Sequence, residues 1–342
     1  MLAARLHAPG EPLRLEEVPV PDPSGAQVRI RVGGCGVCHT DLHIADGTQP
    51  RVTLPVTLGH EVAGWVDAAG PEAVPLLRQA SLSDGDAVLV YGGWGCGSCR
   101  ECLGGAEQRC PDSVSPGFQA DGGYAETMLV PHPRHLEPLG ELEPAHAAPL
   151  ADAGVTARRA VARADRWLAP GARVLVIGAG GVGGFVIQLL RGSTHGTDLV
   201  IGVRELASER RERAIALGAD VGMLASDAHR ADTLGGPPDV VFDLVGTDET
   251  LVRAAGAVSP DGLIVLVGEA GGRLPFGFDA TPLEAWLTTV AWGSRGDLAA
   301  VTRLARAGEL RWETEPVPLR DVAAAHERLR SGQVAGRLVI TP

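Results

Sequence analysis

The feature that most constrains the fold is Arg173-Val-Leu-Val-Ile177 running directly into Gly178-Ala-Gly180-Gly-Val-Gly183. Helical apolar spacing follows across 182–191. A β-branched run of this kind reads as a buried strand, and the glycines that follow allow a tight turn onto a helix. Gly178 permits the turn, Gly180 lets the backbone approach a pyrophosphate, and Gly183 lets helix and strand pack closely. The helix start, with Val182 on its first turn, presents free amide N–H groups and a partial positive charge to the phosphates. A glycine-rich turn without ligand is the competing reading. The strand before the motif and the helix after it argue against that.

Strand and helix patterns continue to alternate at 199–203, 208–217, 240–244 and 263–267. Such alternation predicts a doubly wound parallel sheet, and hence an α/β fold. The first third differs in texture, being rich in Gly and Pro. Its short alternating stretches at 27–32, 61–67 and 86–91 read as strands of an antiparallel, barrel-like domain. Helical patterns at 298–307 and 322–330 and a strand at 337–340 close the chain. At 342 residues two cores are expected. The boundaries read as 1–150, 151–290 for the nucleotide-binding part, and a return segment 291–342.

Net charge is −12, and no basic block occurs. A nucleic-acid partner is therefore not expected. All 30 basic residues are arginine, so no lysine is available for Schiff-base or general-base chemistry. No apolar run reaches the roughly 20 residues of a membrane span, and the N-terminus lacks the pattern of a signal peptide. No membrane partner and a cytoplasmic location are the expectations.

Four of the six cysteines form Cys96-x2-Cys99-x2-Cys102-x7-Cys110, inside a lobe at about 92–112. Tight spacing in a reducing compartment points to a metal rather than disulfides. Four thiolates suit a closed tetrahedral zinc site that stabilises the fold. A nucleic-acid-binding zinc ribbon also uses four cysteines, but its separated pairs and basic surroundings are missing. A second constellation is discontinuous: Cys38-His-Thr-Asp-Leu-His43, then Gly59-His60-Glu61. Catalytic zinc needs about three protein ligands and one exchangeable position. Cys38 and His60 supply two of them, and residue types alone leave the site open.

At the end of the second strand of the nucleotide-binding part stands Arg204, with Glu205 next. An acid here grips the ribose 2′-hydroxyl of NAD, whereas an arginine pairs with the 2′-phosphate of NADP. Arg204 tilts the reading toward NADP. Glu205 takes the acidic role if the loop shifts by one residue, and a merely solvated Arg204 is the third possibility.

With Cys38-x21-His60-Glu61, the four-cysteine lobe and the glycine motif so placed, the chain resembles the zinc-containing alcohol dehydrogenases of the medium-chain dehydrogenase/reductase superfamily. The resemblance spans essentially the whole chain. It implies a GroES-like β-barrel catalytic domain, with the Rossmann domain inserted before the final segment. It also implies Asp152, just before Ala153-Gly-Val-Thr156, as the third catalytic zinc ligand, where many relatives carry cysteine. Two zinc sites of this kind hold about two zinc ions per chain.

Glu61 corresponds to a nearby carboxylate that coordinates zinc transiently. Thr40 corresponds to the hydroxyl that receives the alcohol proton, and His43 to the histidine that passes it on by way of the cofactor ribose. His39 and Arg337 correspond to pyrophosphate contacts. Val267 and the segment 292–295 fall near the nicotinamide. Trp94 lines or borders the substrate pocket, and Cys35 reads as a small core residue. Arg158-Arg159 stands where relatives carry an aromatic.

The expected reaction is hydride transfer between a primary or secondary alcohol, or the matching aldehyde or ketone, and NADP or NAD. The resemblance further implies a homodimer or homotetramer. Two readings compete: a zinc reductase of a complex carbonyl in a specialised pathway, and a non-catalytic zinc- and nucleotide-binding scaffold or sensor.

Overall fold

Val28, Ile30 and Val32 are buried while Arg29 and Arg31 between them are not, the period-two pattern of a strand with one face on a core. This strand organises the N-terminal part of the computed structural model, which describes residues 1–226, 231–275 and 277–342. Two units are distinguished by their internal contacts. The first is Met1–Val155 with Ser294–Gly308 and Trp312–Pro342, and the second is Thr156–Gly293 with Glu309–Arg311.

The first unit begins with strands β1 (Leu2–Leu6), β2 (Arg14–Glu17), β3 (Val28–Gly36), β4 (Val56–Thr57), β5 (Glu61–Ala69), β6 (Ala87–Val90), β7 (Thr127–Val130) and β8 (Leu136–Pro138). Between them lie helices α1 (His39–Ala45), α2 (Ala73–Gln79) and α3 (Arg100–Leu103), and α4 (Pro144–Ala147) follows. The chain leaves this unit within α5 (Ala153–Ala164). The second unit contains β9 (Arg173–Ile177), α6 (Gly181–Arg191), β10 (Val200–Glu205), α7 (Ser208–Ala216), β11 (Val221–Leu224), β12 (Val240–Asp243), α8 (Asp248–Ala257), β13 (Leu263–Leu266) and β14 (Trp286–Thr289). Helix α9 (Arg295–Arg306), β15 (Thr314–Pro318), α10 (Val322–Arg330) and β16 (Arg337–Thr341) return the chain to the first unit.

In the first unit the larger sheet runs β15-β16-β3-β5-β6-β8, with β7 also on β3. Strand β3 therefore pairs along one edge with β5 and shares its other edge between β7 and β16. Gly33 is the extra residue of a bulge in β3, between the pairs Val32↔Gly64 and Gly34↔Ala63. A Cβ on Gly33 would come within 2.8 Å of both Trp65 and Pro144, so glycine lets the bend pack. The core beneath is aliphatic, with Leu6, Ile30, Leu58, Val62, Val88 and Ile340 fully buried. Cys35 belongs to it, as a small apolar residue would.

The second unit holds a sheet of order β11-β10-β9-β12-β13-β14 with every pair parallel. Numbered within the unit this is 3-2-1-4-5-6, the Rossmann order, whose switch point lies between β9 and β12. Val174, Leu175, Val176 and Ile177 are all buried, as expected of a parallel strand covered on both faces. Among the described residues, no helix is long and apolar enough to cross a membrane.

Candidate active site

Strand pairing assembles the first metal constellation. Gly36 of β3 lies opposite Glu61 of β5, and Cys35 opposite Val62. This register brings Cys38, just past one strand, beside His60, just before the other. Asp152 arrives from the turn Ala148–Ala151 ahead of α5. Its Oδ2 stands 3.6 Å from Cys38 Sγ and 3.7 Å from His60 Nε2. Ligands about 2.0–2.3 Å from a tetrahedral zinc lie roughly 3.3–3.8 Å apart. The donors therefore fit the ion, and soft thiolate, imidazole and carboxylate are all zinc ligands.

Thr40 and His43 ride on α1, whose N-cap is Cys38. The Thr40 hydroxyl is 3.6 Å from Cys38 Sγ, and His43 is half-buried in the last turn. His39 is exposed at the first helical position. Glu61 is fully buried and joins Cys38, His60 and Asp152 in one potential metal-holding group. Its carboxylate is ion-paired with Arg337 of β16. Gly36 leaves room for it, since a Cβ there would collide with Glu61 Oε2. Arg337, expected at the pyrophosphate, is thus also the counter-charge of Glu61.

Asp41 carries no signal beyond its place in the first turn of α1, yet it supports the site. Its Oδ1 lies 3.2 Å from His60 Nδ1, and both side chains are almost wholly buried. Burial works against charge on either group, but their mutual attraction outweighs it, raising the pKa of His60 and lowering that of Asp41. Asp41 is therefore an anion and an acceptor. It faces the Nδ1 side of His60, so Nε2 is the ring nitrogen directed at Asp152.

The four lobe cysteines converge as predicted, with all ligand atoms within 4.8 Å of one another. Cys96 Sγ and Cys102 Sγ are 3.9 Å apart, close to the ~3.8 Å of two sulfurs on a tetrahedral zinc. The amide of Cys96 donates to Cys110 Sγ and that of Cys99 to Cys96 Sγ, both at 3.4 Å. Amide donation from Ser98 leads the effects that hold the Cys96 thiol down at about 6, while burial pushes Cys102 up to about 12. The Arg134 guanidinium donates to Gly95 O at 2.6 Å, and Arg295 is 3.0 Å from the buried Glu107. Arg295, expected near the nicotinamide, thus braces the lobe, and Ser294 caps α9. Trp94 is a core residue whose indole N–H donates to Tyr91 O at 2.6 Å.

The glycine motif in the second unit has the geometry its sequence requires. Gly178 has φ +89°, and Gly180 caps α6. A Cβ on Gly183 would strike Gly178 O, whereas one on Gly180 would meet no protein atom within 4 Å. Gly183 thus serves packing, and Gly180 keeps the approach to the helix start clear. Val182 is half-buried on the first turn. Val267 N donates to Asp243 O at 2.8 Å, placing Val267 beside the C-terminal end of β12.

At the end of β10 the two candidates separate. Arg204 is 5% exposed, and its guanidinium donates to Ala225 O at 2.6 Å. Glu205 turns toward the glycine loop and accepts the amide of Ala179, as well as that of Leu206 at 2.9 Å. Arg158 and Arg159 are half-buried on α5.

Comparison with known proteins agrees with this architecture. Residues 24–141 match the alcohol dehydrogenase GroES-like domain, and residues 217–340 match the zinc-binding dehydrogenase family. D-arabinose 1-dehydrogenase (NADP(+)) of Saccharolobus solfataricus is 37% identical, over 99% of this chain and 97% of its own. An NAD-dependent alcohol dehydrogenase of Sulfurisphaera tokodaii is 36% identical, over the whole of both chains. The crystal structure of an alcohol dehydrogenase from Aeropyrum pernix superposes with a TM-score of 0.90 at 33% identity, again over the whole of both chains.

Sheet order, metal donors and these matches define a zinc- and nucleotide-dependent oxidoreductase. The chain belongs to the zinc-dependent alcohol dehydrogenases of the medium-chain dehydrogenase/reductase superfamily, enzymes that interconvert alcohols and carbonyl compounds with NAD(P).

Proposed function

We propose that Cys38, His60 and Asp152 hold a catalytic zinc and that Thr40 and His43 carry the alcohol proton. The observation that carries this reading is the meeting of three unlike zinc donors at 3.6–3.7 Å beside a threonine hydroxyl. Zinc, when bound, supplies the Lewis acidity that makes an alcohol a stronger acid. Thr40 would accept the hydroxyl proton, and His43, in the last turn of the same helix, would pass it outward. Glu61, held by Arg337, offers a carboxylate for ligand exchange. His39 and Arg337 would contact the pyrophosphate, and Val267 would border the nicotinamide. The lobe cysteines hold a second, structural zinc.

For the cofactor we favour NAD. Glu205, not Arg204, reaches the glycine loop, and its carboxylate can accept from ribose hydroxyls but would repel a 2′-phosphate. The substrates proposed are primary and secondary alcohols with their aldehydes and ketones. A relative named for D-arabinose makes sugars the second class to test. The free cysteines and thiolate sites suit the reducing cytoplasm. We also propose a homo-oligomer built on β14, whose Trp286 and Leu287 are 50% and 46% exposed on an edge strand.

The test combines metal analysis with a turnover screen of alkyl, aryl and sugar alcohols against both cofactors. About two zinc ions per chain and loss of turnover in Cys38→Ser, with dinucleotide binding retained, are expected. Full activity in Cys38→Ser would overturn the assignment and leave a scaffold role open.

A further inference from the structure

Support for His60 does not end at Asp41. The second carboxylate oxygen of Asp41 accepts two hydrogen bonds, from Cys38 N–H and from the hydroxyl of Tyr124, each at 2.9 Å. Tyr124 is fully buried and lies 83 residues along the chain from Asp41. It is brought there by backbone pairing. Gly122 N donates to Thr57 O at 2.8 Å, while Tyr124 N donates to Leu58 O and Gly123 N to Gly59 O, both at 2.9 Å. The stretch carrying Tyr124 thus runs beside the stretch that delivers His60.

The ring also needs Gly59. That residue has φ +96°, and a Cβ on it would stand 2.6 Å from Tyr124 Cδ1 and from Cys35 Sγ. His326 of α10 borders the ring at a centroid distance of 5.8 Å. Backbone, ring and hydroxyl therefore all hold Tyr124 in register with His60.

We propose that Tyr124 is a positioning residue for the catalytic metal: its hydroxyl orients the Asp41 carboxylate, whose other oxygen lies 3.2 Å from His60 Nδ1 and so aims His60 Nε2. The cap donated by Cys38 N–H fixes one side of that carboxylate oxygen, and Tyr124 fixes the other. Without the hydroxyl, Asp41 can rotate toward its remaining partner, and His60 loses a firmly placed counter-charge. Partners of metal-ligating histidines typically change metal affinity 10- to 100-fold when removed. Tyr124 stands one step further out, so the lower end of that range is expected.

The inference rests on the reading of Cys38, His60 and Asp152 as a zinc site, and its test separates the two. Zinc release from the full-length, zinc-loaded protein to a chromogenic chelator is followed for wild type, Tyr124→Phe, Asp41→Asn and the double variant. Cys38→Ser identifies the phase that belongs to the catalytic site, and the lobe phase serves as an internal control of folding. In Tyr124→Phe the catalytic-site phase should be about tenfold faster with the lobe phase unchanged, and the double variant should be no faster than Asp41→Asn alone.

Wild-type release of the catalytic-site zinc in Tyr124→Phe overturns the proposal. So does an effect that simply adds to that of Asp41→Asn, or simultaneous loss of both zincs, which would mark a general packing role. A wild-type protein that binds only the lobe zinc overturns instead the reading beneath it.

Discussion

At the scale of single residues, what could be read from the chain was what chemistry restricts to few residue types. Thiolates, imidazoles and glycines at fixed spacing announce themselves, and Cys38, His60 and the lobe cysteines fall together as expected. That Asp152 would lie beside Cys38 and His60 was legible only through resemblance, because one aspartate before a helix has many ordinary uses. Asp41 was illegible for a related reason: it does cap α1, through Cys38 N–H to Oδ2, and the same carboxylate supports His60 with its other oxygen. Its hidden role depends on strand register that no local pattern encodes.

The ribose position shows the same limit, since direction at the end of β10 separates Glu205 from Arg204, not the sequence order. If Glu205 reads the ribose, Glu205→Ala should raise KM for NAD about tenfold, the cost of a charge-assisted hydrogen bond, and narrow the preference over NADP. Arg204→Ala should leave the NAD/NADP ratio unchanged. Parallel initial-rate measurements with both cofactors decide this, and a selective loss of NADP activity in Arg204→Ala would restore the arginine reading.

At the scale of elements, strands with strong burial patterns were visible and weakly patterned ones were not. Strand β9 is apolar on both faces and matches its predicted limits. Strand β15 reads Thr-Glu-Pro-Val-Pro, and its two prolines are tolerable only because it forms a sheet edge. Strand β14 is only four residues long and mostly exposed, so it offers neither alternation nor an apolar run.

The region around the lobe carries a consequence for pH. His135 is 1% exposed, stacks 6.2 Å from Tyr91, and faces Glu107, Arg134, Arg295 and His132. Burial first, then the two arginines, hold its pKa down at about 2, so it stays neutral although Glu107 is only 3.6 Å away. An unfolded histidine titrates near 6.5, so as pH falls below that value the unfolded chain takes up a proton that the folded one refuses. Stability from this group is therefore complete above pH ~6.5 and is lost as pH falls toward 2, at about 1.4 kcal/mol per unit. Urea midpoints at pH 7 and 5.5 should fall less in His135→Gln than in wild type. An identical fall in both proteins would remove His135 from the acid response.

The two proposed zinc sites also predict an ordered response to metal removal. Four sulfurs in a closed lobe exchange slowly, whereas a three-ligand site keeps an open position. Mild chelation should therefore abolish turnover while one zinc per chain, about half the metal, remains and the fold is kept. Circular dichroism beside metal analysis tests this, and activity that survives loss of the first zinc would reverse the assignment of the two sites. Asp152→Ala should mimic mild chelation, losing one zinc and turnover together. Retention of both zincs would require another third ligand.

At the scale of the whole molecule, the Rossmann sheet ends on β14, and among the described residues no strand pairs with its outer edge. Open edges of this kind are usually blunted by charge, proline or cover. Here the strand instead exposes Trp286 and Leu287, and Leu283 just before it is 67% exposed. Arg166 lies between Trp167 and Trp286, 3.9 and 4.4 Å from their ring centroids, while Trp286 Nε1 donates to Asp261 at 3.0 Å. That clamp makes the edge rigid as well as apolar, which lowers the entropy lost when a partner pairs with it. A net charge of −12 opposes association of two copies at long range, so pairing must come from burial and strand hydrogen bonds at this edge. Leu287→Arg places a charge on the strand without touching either zinc site. Light scattering after size exclusion should find wild type at least dimeric at micromolar concentration and the variant shifted to monomer, with zinc content unchanged. A monomeric wild type, or a variant that assembles as wild type does, would move the interface away from β14.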